Sequence, residues 1–511
     1  MERISPTTPV VVVGAGPVGL MLAGELRLGG AEVIVLEKLD APMTESRAST
    51  LHARTMEILD SRGLLESIGK PPNDKMGHFG GLPLDLTLPS PYPGQWKVAQ
   101  TQLEPILQQW ASSLGADIRR GHEVIGVAAG EGKVEIQAIG PKGPVRIEAS
   151  YVVACDGENS IVRRLLGVDF PHSGLERVMI RADVAGIHIP NRRFQRLAKG
   201  LAIAARREDG VTRVMVHEFG RMEERGAAQA TFSEVADIWM RVTGEDIRGG
   251  TPLWVNSFSD GSCQLTHYRH GRILFAGDAA HRQMPIGGQA LNLGLQDAVN
   301  LGWKLALCVR GRASDELLDT YHHERHAVGE SVLSNIKAQA MLLLGGPEVE
   351  SVRNLMGKLI THGDVRTELA SMISGLDVRY DVGTNANPLL GARMPHVELT
   401  TKSGTTRTPA LLRGGRGVLL IFANHDKTRF DRLATQAAPW AGHIQLIQAK
   451  ALPNESLVKI RAVLIRPDGH VVWTEEAGTD SSDLTAALHR WFGPPADSIR
   501  KSGEYQTWVS S

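Results

Sequence analysis

Two glycine-bearing stretches, far apart in the chain, carry residue types that suit the holding of a ligand. The first is Gly14-Ala15-Gly16-Pro17-Val18-Gly19, which follows the continuous β-branched run Val10–Val13. This spacing matches the dinucleotide fingerprint: Gly14 permits the tight turn, Gly16 lets the backbone approach a pyrophosphate, and Gly19 lets helix pack close on strand. The helix that follows, to about Leu28, points its N-terminal N–H groups at that pyrophosphate. Gly29-Gly30 ends it, and Glu32–Leu36 forms a second strand that closes on Glu37-Lys38. Glu37 stands where an acid holds a ribose hydroxyl. Such an acid disfavours a 2′-phosphate, so NADP suits this site poorly and NAD and FAD remain.

The second stretch reads "RILFAGDAAHRQMPIGGQALN". A short strand, Arg272–Ala276, runs into Gly277-Asp278, and Pro285 with Gly287-Gly288 then introduces a helix over 288–309. Leu291, Leu295, Ala298, Gly302, Leu305 and Val309 recur at spacings of four and three, an apolar stripe that fixes the helix in space. Its unpaired N–H groups, around Gly288–Asn292, face the preceding loop. They favour an anionic group there by about 0.3–2 kcal/mol. Alone, Asp278 reads as a turn or N-cap aspartate; beside Gly277, Pro285 and Gly287-Gly288 it reads as a ligand contact.

These residues need a sizeable scaffold. At 511 residues, a prior of roughly 150 per domain predicts two to four domains. Hydrophobic residues at 42% with 22% charged residues exclude a disordered or fibrous chain. The formal net charge is zero, so the chain as a whole carries no electrostatic footprint for nucleic acid or an anionic membrane. Three separated cysteines, Cys155, Cys263 and Cys308, form neither a disulfide framework nor a metal knuckle and suit a reducing cytoplasm. Pro6, Pro9, Gly14, Gly16 and Pro17 interrupt the uncharged N-terminal run, which therefore reads as strand–turn–helix and not as a signal peptide. His322 and His326 stand at i and i+4, a metal-compatible spacing, but no third ligand presents itself. They read as a helix face, and no metal is expected.

Three further stretches join the two loops: "ESRASTLHARTMEIL" with Arg47, "VAQTQLEPILQQW" with Gln100, and "YVVACDGENSIVRRLLG" with Asp156-Gly157. Together, in this order, they resemble the single-component (class A) FAD-dependent aromatic hydroxylases of the p-hydroxybenzoate hydroxylase type. The likeness is nearest to hydroxylases of aromatic polyketides such as angucyclines and anthracyclines. It implies a mixed α/β fold: a Rossmann-like FAD-binding domain, an inserted β-sheet substrate domain, and a thioredoxin-like C-terminal domain. The expected spans are 1–175 and 266–385 for the FAD-binding domain, 176–265 for the middle domain and 386–511 for the C-terminal domain. Strands at 417–423, 443–448, 460–465 and 470–474 and a helix at 481–492 support the last, yet "ANHDKTRF" stands where paired cysteines would be. A structural or docking role follows for that domain. The middle domain shows a hairpin, Leu201–Arg206 with Val211–Val216.

The resemblance also assigns roles. Gly14, Ala15, Gly16, Pro17, Val18 and Gly19 would contact the FAD pyrophosphate, and Glu37, next to Lys38, the adenosine ribose. Arg47 and Gln100 would lie along the pyrophosphate-to-ribityl arm, with Arg47 near the ring system, and Val124 would meet the adenine through its backbone. Asp156-Gly157 matches a motif tied to FAD and to transient NAD(P)H. Gly277-Asp278 would hold a ribityl hydroxyl, and Pro285, Gly287, Gly288, Ala290, Leu291 and Asn292 would line the flavin ring. Arg47 and Pro285 are the candidates for catalytic positioning; no acid or base is assigned. The relatives carry glycine where this chain has Ala290, a methyl group that bears on flavin movement.

No second dinucleotide fingerprint exists, so the implied chemistry lets NADPH or NADH visit the flavin transiently. O2 then forms a flavin C4a-hydroperoxide that attacks an electron-rich ring. The implied activity is hydroxylation of a polycyclic aromatic polyketide, a phenol or quinone, in secondary metabolism, by a cytoplasmic monomer or homodimer without nucleic-acid or membrane partners. Two alternatives stay open: Baeyer–Villiger insertion on a similar polyketide, and a flavin-binding protein that shields an intermediate without turnover.

Overall fold

The computed structural model describes residues 8–44, 48–168, 170–171, 174–223, 230–383, 387–422, 427–452, 454–476 and 484–495. Arg47 therefore lies outside the described residues, as do Ala423 and Ser481 at the ends of two expected elements.

A six-strand run dominates the first sheet, in the order Arg269–His270, Ile273–Phe275, Gly143–Ala154, Thr8–Val13, Val33–Leu36 and Asp117–Arg119, with every pair after the first parallel. Val10–Val13 and Val33–Leu36 are buried throughout, as parallel strands covered on both faces must be. A meander, Glu123–Ala129, Val134–Gly140 and Gly143–Ala154, feeds the central strand of this sheet. A second sheet holds Glu176–Ala185, Arg192–Leu197, Gly200–Arg206, Thr212–Glu218 and Thr251–Ser259, with helix Phe232–Thr243 on one face. Arg206 pairs with Thr212, so the expected hairpin is in register.

The third sheet runs Gly404–Arg407, Glu398–Thr401, Ile444–Ala451, Gly417–Phe422, Ile460–Ile465 and Val471–Glu476. Its parallel central pair flanked by antiparallel strands gives the expected thioredoxin-like core, and the hairpin at 398–407 is an addition that sequence reading missed. This sheet docks through its turn at Pro467-Asp468-Gly469. Arg466 binds Glu324 (2.6 Å) and Asp468, Lys304 binds Glu324 (2.8 Å), and Arg62 and Arg54 donate to the carbonyls of Pro467 and Asp468 (2.9 and 2.8 Å). All these side chains are buried. Burial alone would raise Glu324, but Arg466 and Lys304 hold it down to about 2.

Helix Gln289–Val309 departs from the one-stripe expectation. Every residue from Asn292 to Leu307 is buried, because helix Pro17–Leu28 covers one side while helix Asp315–Leu344 and the third sheet cover the other. Asp297, Asn300 and Lys304 sit inside it, each with a partner. Among the described residues no helix is long and apolar enough to cross a membrane, and no His, Cys, Asp or Glu cluster could hold a metal. His322 and His326 stack with His267 and Tyr268 instead.

Candidate functional site

Parallel strands deliver their C-terminal ends to one edge of a sheet, and ligands of open α/β sheets bind there. Four of the expected contacts come together for this reason. Val13 leads into Gly14, Leu36 into Glu37, Ala154 into Cys155-Asp156, and Phe275 into Gly277-Asp278. The loops are stitched edge to edge: the Gly14 N–H donates to the Leu36 carbonyl (2.8 Å), Cys155 to Val13 (2.8 Å) and Ala276 to Ala154 (3.0 Å).

The glycines fit their assigned steric roles. Gly14 has φ +102°, and a β-carbon there would stand 2.5 Å from the Cys155 carbonyl oxygen. One at Gly19 would stand 2.0 Å from the Gly14 carbonyl oxygen, so helix and strand could not pack. At Gly16 it would meet nothing within 4 Å, so the backbone there borders open space. Helix Pro17–Leu28 begins at Gly16 with no side-chain cap and no acid in its first turn, which leaves its N–H groups to an anion. Glu37 accepts from the N–H groups of Ala15 (2.8 Å) and Leu39 (2.9 Å), which aims its carboxylate at the glycine turn. Lys38 is exposed beside it. Val124 is buried at a bulge in the meander, next to His122, whose N–H binds the Glu37 carbonyl (2.8 Å).

Asp156 takes the Val162 N–H on Oδ2 (3.2 Å), while its enclosed Oδ1 has no partner. Burial raises its pKa above the ordinary carboxylate value. Gly157 follows at φ +80°, open to space. Arg163 ties this turn to the second loop by donating to the carbonyls of Glu158 (2.6 Å) and Ala279 (3.1 Å).

In the second loop, Gly277-Asp278 forms a 3₁₀ turn with Asp278 exposed, and Gly277 and Gly294 pack directly on Val18 of the first loop. Pro285 is exposed, and Gly287 and Gly288 both adopt left-handed φ, 64° and 70°, which only glycine takes without cost. Helix Gln289–Val309 starts at Gly288 without a side-chain cap or an acid in its first turn. Ala290 and Leu291 are half-buried in that turn.

Asn292 holds the loop to a third segment. Its amide donates to the carbonyls of Thr50 (3.0 Å) and Gly288 (2.8 Å) and accepts from the His52 N–H (2.9 Å), while His52 Nε2 meets the Gly287 carbonyl (2.7 Å). Gln100, half-buried at the start of its helix, gives its N–H to Ala48 (2.8 Å), so the segment after Arg47 is tied at both ends.

Sequence reading missed what stands behind the loop. Asp297, fully buried, accepts from the Gly277 N–H (3.1 Å), His281 Nε2 (2.7 Å) and Arg325 Nε (2.7 Å). Burial would raise its pKa, but Arg325 and His281 hold it below the ordinary value. Its partners come from the loop and from a distant helix, so no local pattern marked it. His281 is thus a buried prop, in keeping with its place in the loop and not with a base.

Comparison with known proteins fits this geometry. Residues 7–336 match the FAD binding domain family, and residues 387–495 match the aromatic-ring hydroxylase C-terminal family. The chain is 40% identical over 504 residues to a 12-dehydrotetracycline 5-monooxygenase/anhydrotetracycline 6-monooxygenase of Streptomyces rimosus, covering 95% of this chain and 99% of that one. It is 44% identical to CabE, an aromatic hydroxylase from angucycline biosynthesis, whose structure matches with a TM-score of 0.89 over 96% of this chain and 99% of that one. It is also 36% identical over 496 residues to a dialkyldecalin synthase of Streptomyces rugosporus, covering 95% and 99%. On these grounds the chain belongs to the FAD-dependent aromatic-ring hydroxylases, alongside enzymes that oxidise polyketides.

Proposed function

We propose that this protein is a monooxygenase that uses FAD, NAD(P)H and O2 to hydroxylate a polycyclic aromatic polyketide in secondary metabolism. One observation carries the reading. Exposed Pro285 stands between an uncapped helix start and a half-open apolar face of the middle sheet, where Met215 and Phe258 flank Met284 and Ile286.

The residues present fit FAD. Gly16 borders open space where a pyrophosphate would pass, Asp156 Oδ1 is buried without a partner, and two helices offer uncapped N-termini. Gly14–Gly19 would hold the pyrophosphate, Glu37 the adenosine ribose, Val124 the adenine, and Asp278 the ribityl chain. Gln100 and Arg47 would line the arm between. FAD, once reduced by NAD(P)H, supplies the activation of O2 for attack on an electron-rich ring. The protein's part is to place that ring over Pro285 and to keep the chamber dry, which suppresses loss of oxidant as hydrogen peroxide. Gly288–Asn292 would face the negative charge of a reduced ring, worth about 0.3–2 kcal/mol. A cytoplasmic location suits the three free cysteines.

A second reading, a flavoprotein without oxygen transfer, is favoured by the likeness to a dialkyldecalin synthase. Purified holoenzyme assayed with anhydrotetracycline under NADPH and O2 separates the readings. Stimulated NADPH oxidation with a product heavier by one oxygen supports the first. No oxidation of NADPH by the bound flavin with any aromatic polyketide supports the second. A hydroxylated ring against a ring-expanded lactone distinguishes hydroxylation from Baeyer–Villiger insertion.

A further inference from the structure

The middle sheet has two faces of different character. Val178, Ile180, Ala182, Val214 and Val216 pack beneath helix Phe232–Thr243. The other face brings Met179 and Leu201 against Met284 and Ile286, which flank Pro285, and against Ile336 and Leu343 of the long helix. Phe194, Met215, Phe258 and Val332 are the members of this second cluster that stay partly open.

Among the described residues, Phe194 is the one non-glycine residue with positive φ, 48°. A bulky side chain rarely takes that conformation, and it persists only where the surroundings impose it. They do so here. The edge strand Arg192–Leu197 slips register with Gly200–Arg206 between Arg192 and Gln195, so Phe194 lies in a bulge. Bulges re-aim a side chain and recur beside active sites. On one side of it, Arg193 donates to the Met76 carbonyl (3.1 Å); on the other, Arg196 donates to the carbonyls of Leu343 (2.6 Å) and Gly345 (2.7 Å), at the end of the long helix. The ring then packs tilted against His78, centroids 4.3 Å apart and planes at 54°, across the seam to the hairpin Met76–Phe79/Leu82–Asp85. Burial lowers His78 to about 4, so its ring is a neutral partner at neutral pH.

We propose that Phe194, held in its bulge, is the specificity-determining wall of the substrate chamber, stacking on the end of an extended planar ring system away from the oxidised carbon. This rests on the reading of the chamber given under Proposed function. Stacked rings gain from fixed geometry beyond the area they bury. Phe194 lies on one edge strand of the middle sheet and Phe258 on a strand at its other side, so Phe194 would meet the far end of fused rings and not the ring that reacts.

The test uses holoenzyme and isothermal titration with two probes, 1,8-dihydroxyanthraquinone and resorcinol. Phe194→Gly removes the ring and also relieves the positive φ, so it keeps the fold; Phe194→Tyr restores the ring. Wild type and Phe194→Tyr should bind the three-ring probe alike, and Phe194→Gly should bind it roughly tenfold more weakly. FAD content and resorcinol affinity should stay unchanged in all three. Wild-type affinity for the three-ring probe in Phe194→Gly, or equal weakening for both probes, would overturn the role of Phe194 alone. A wild-type enzyme that binds neither probe would remove the reading of the chamber, and the proposal with it.

Discussion

The two glycine loops face the same edge of one sheet and both open a helix whose N-terminus has no side-chain cap, yet they are held in different ways. Gly14–Gly19 is fixed by backbone against backbone, with Gly14 pressed on Cys155 and Gly19 on Gly14 itself. The loop at 277–288 is fixed by side chains: Asp297 from behind, Asn292 and His52 from the side, Arg163 from the Asp156 turn. A steric cradle admits almost no substitution, whereas a loop held by buried hydrogen bonds should weaken in steps as each is removed.

Changes that break the contrast can be ranked. Gly19→Val should have the largest effect, since even a β-carbon would stand 2.0 Å from a carbonyl oxygen. We expect little soluble protein and no bound flavin, read from yield and absorbance; a yellow, soluble variant would show that the cradle is not steric. Asp297→Ala leaves Arg325 and His281 buried without their carboxylate, a loss of about 3–5 kcal/mol by urea unfolding. A loss no larger than that of a surface substitution would mean that the prop is dispensable. Asn292→Ala removes three hydrogen bonds between loop, helix and the segment at 50–52. It should cost about 1–3 kcal/mol and weaken FAD more than it weakens the fold. Equal losses would assign Asn292 to the scaffold only.

The last effect vanishes at neutral pH and grows only on acidification. His52 and His78 fall from 6.5 to about 4, burial being the main cause in each, so the unfolded chain binds more protons than the folded one between those values. Stability should be fully present above about pH 6.5 and decline as pH falls toward 4. Thermal unfolding across that window checks it, and His78→Gln should flatten the slope. An unchanged slope would mean that His78 does not contribute.

The same contrast explains what the sequence made legible. The first loop, the parallel strands around it and the Gly-Asp turn could be read because their determinants are local: a β-branched run, glycines at fixed spacing, an acid at the next strand end. Helix Gln289–Val309 was read as amphipathic because periodicity counts apolar residues, and a helix buried all round with paired charges such as Lys304–Glu324 defeats that count. Asp297, Arg325 and His52 acquire meaning only when distant segments meet. The docking of the third sheet through Arg466 and Asp468 is of the same kind, since nothing local marks a buried ion pair. Phe194 is the extreme case, a backbone conformation imposed by arginine anchors on a hairpin and a helix end.

The central claim is that two remote loops form one FAD site, and Asp278 tests it most directly. It is exposed, so its loss should leave the fold intact. Titration of FAD into deflavinated protein should show Asp278→Ala binding at least about tenfold more weakly than wild type, with unchanged circular dichroism, as expected when a charged hydrogen-bond partner is removed. Undiminished FAD affinity in that variant would contradict the claim.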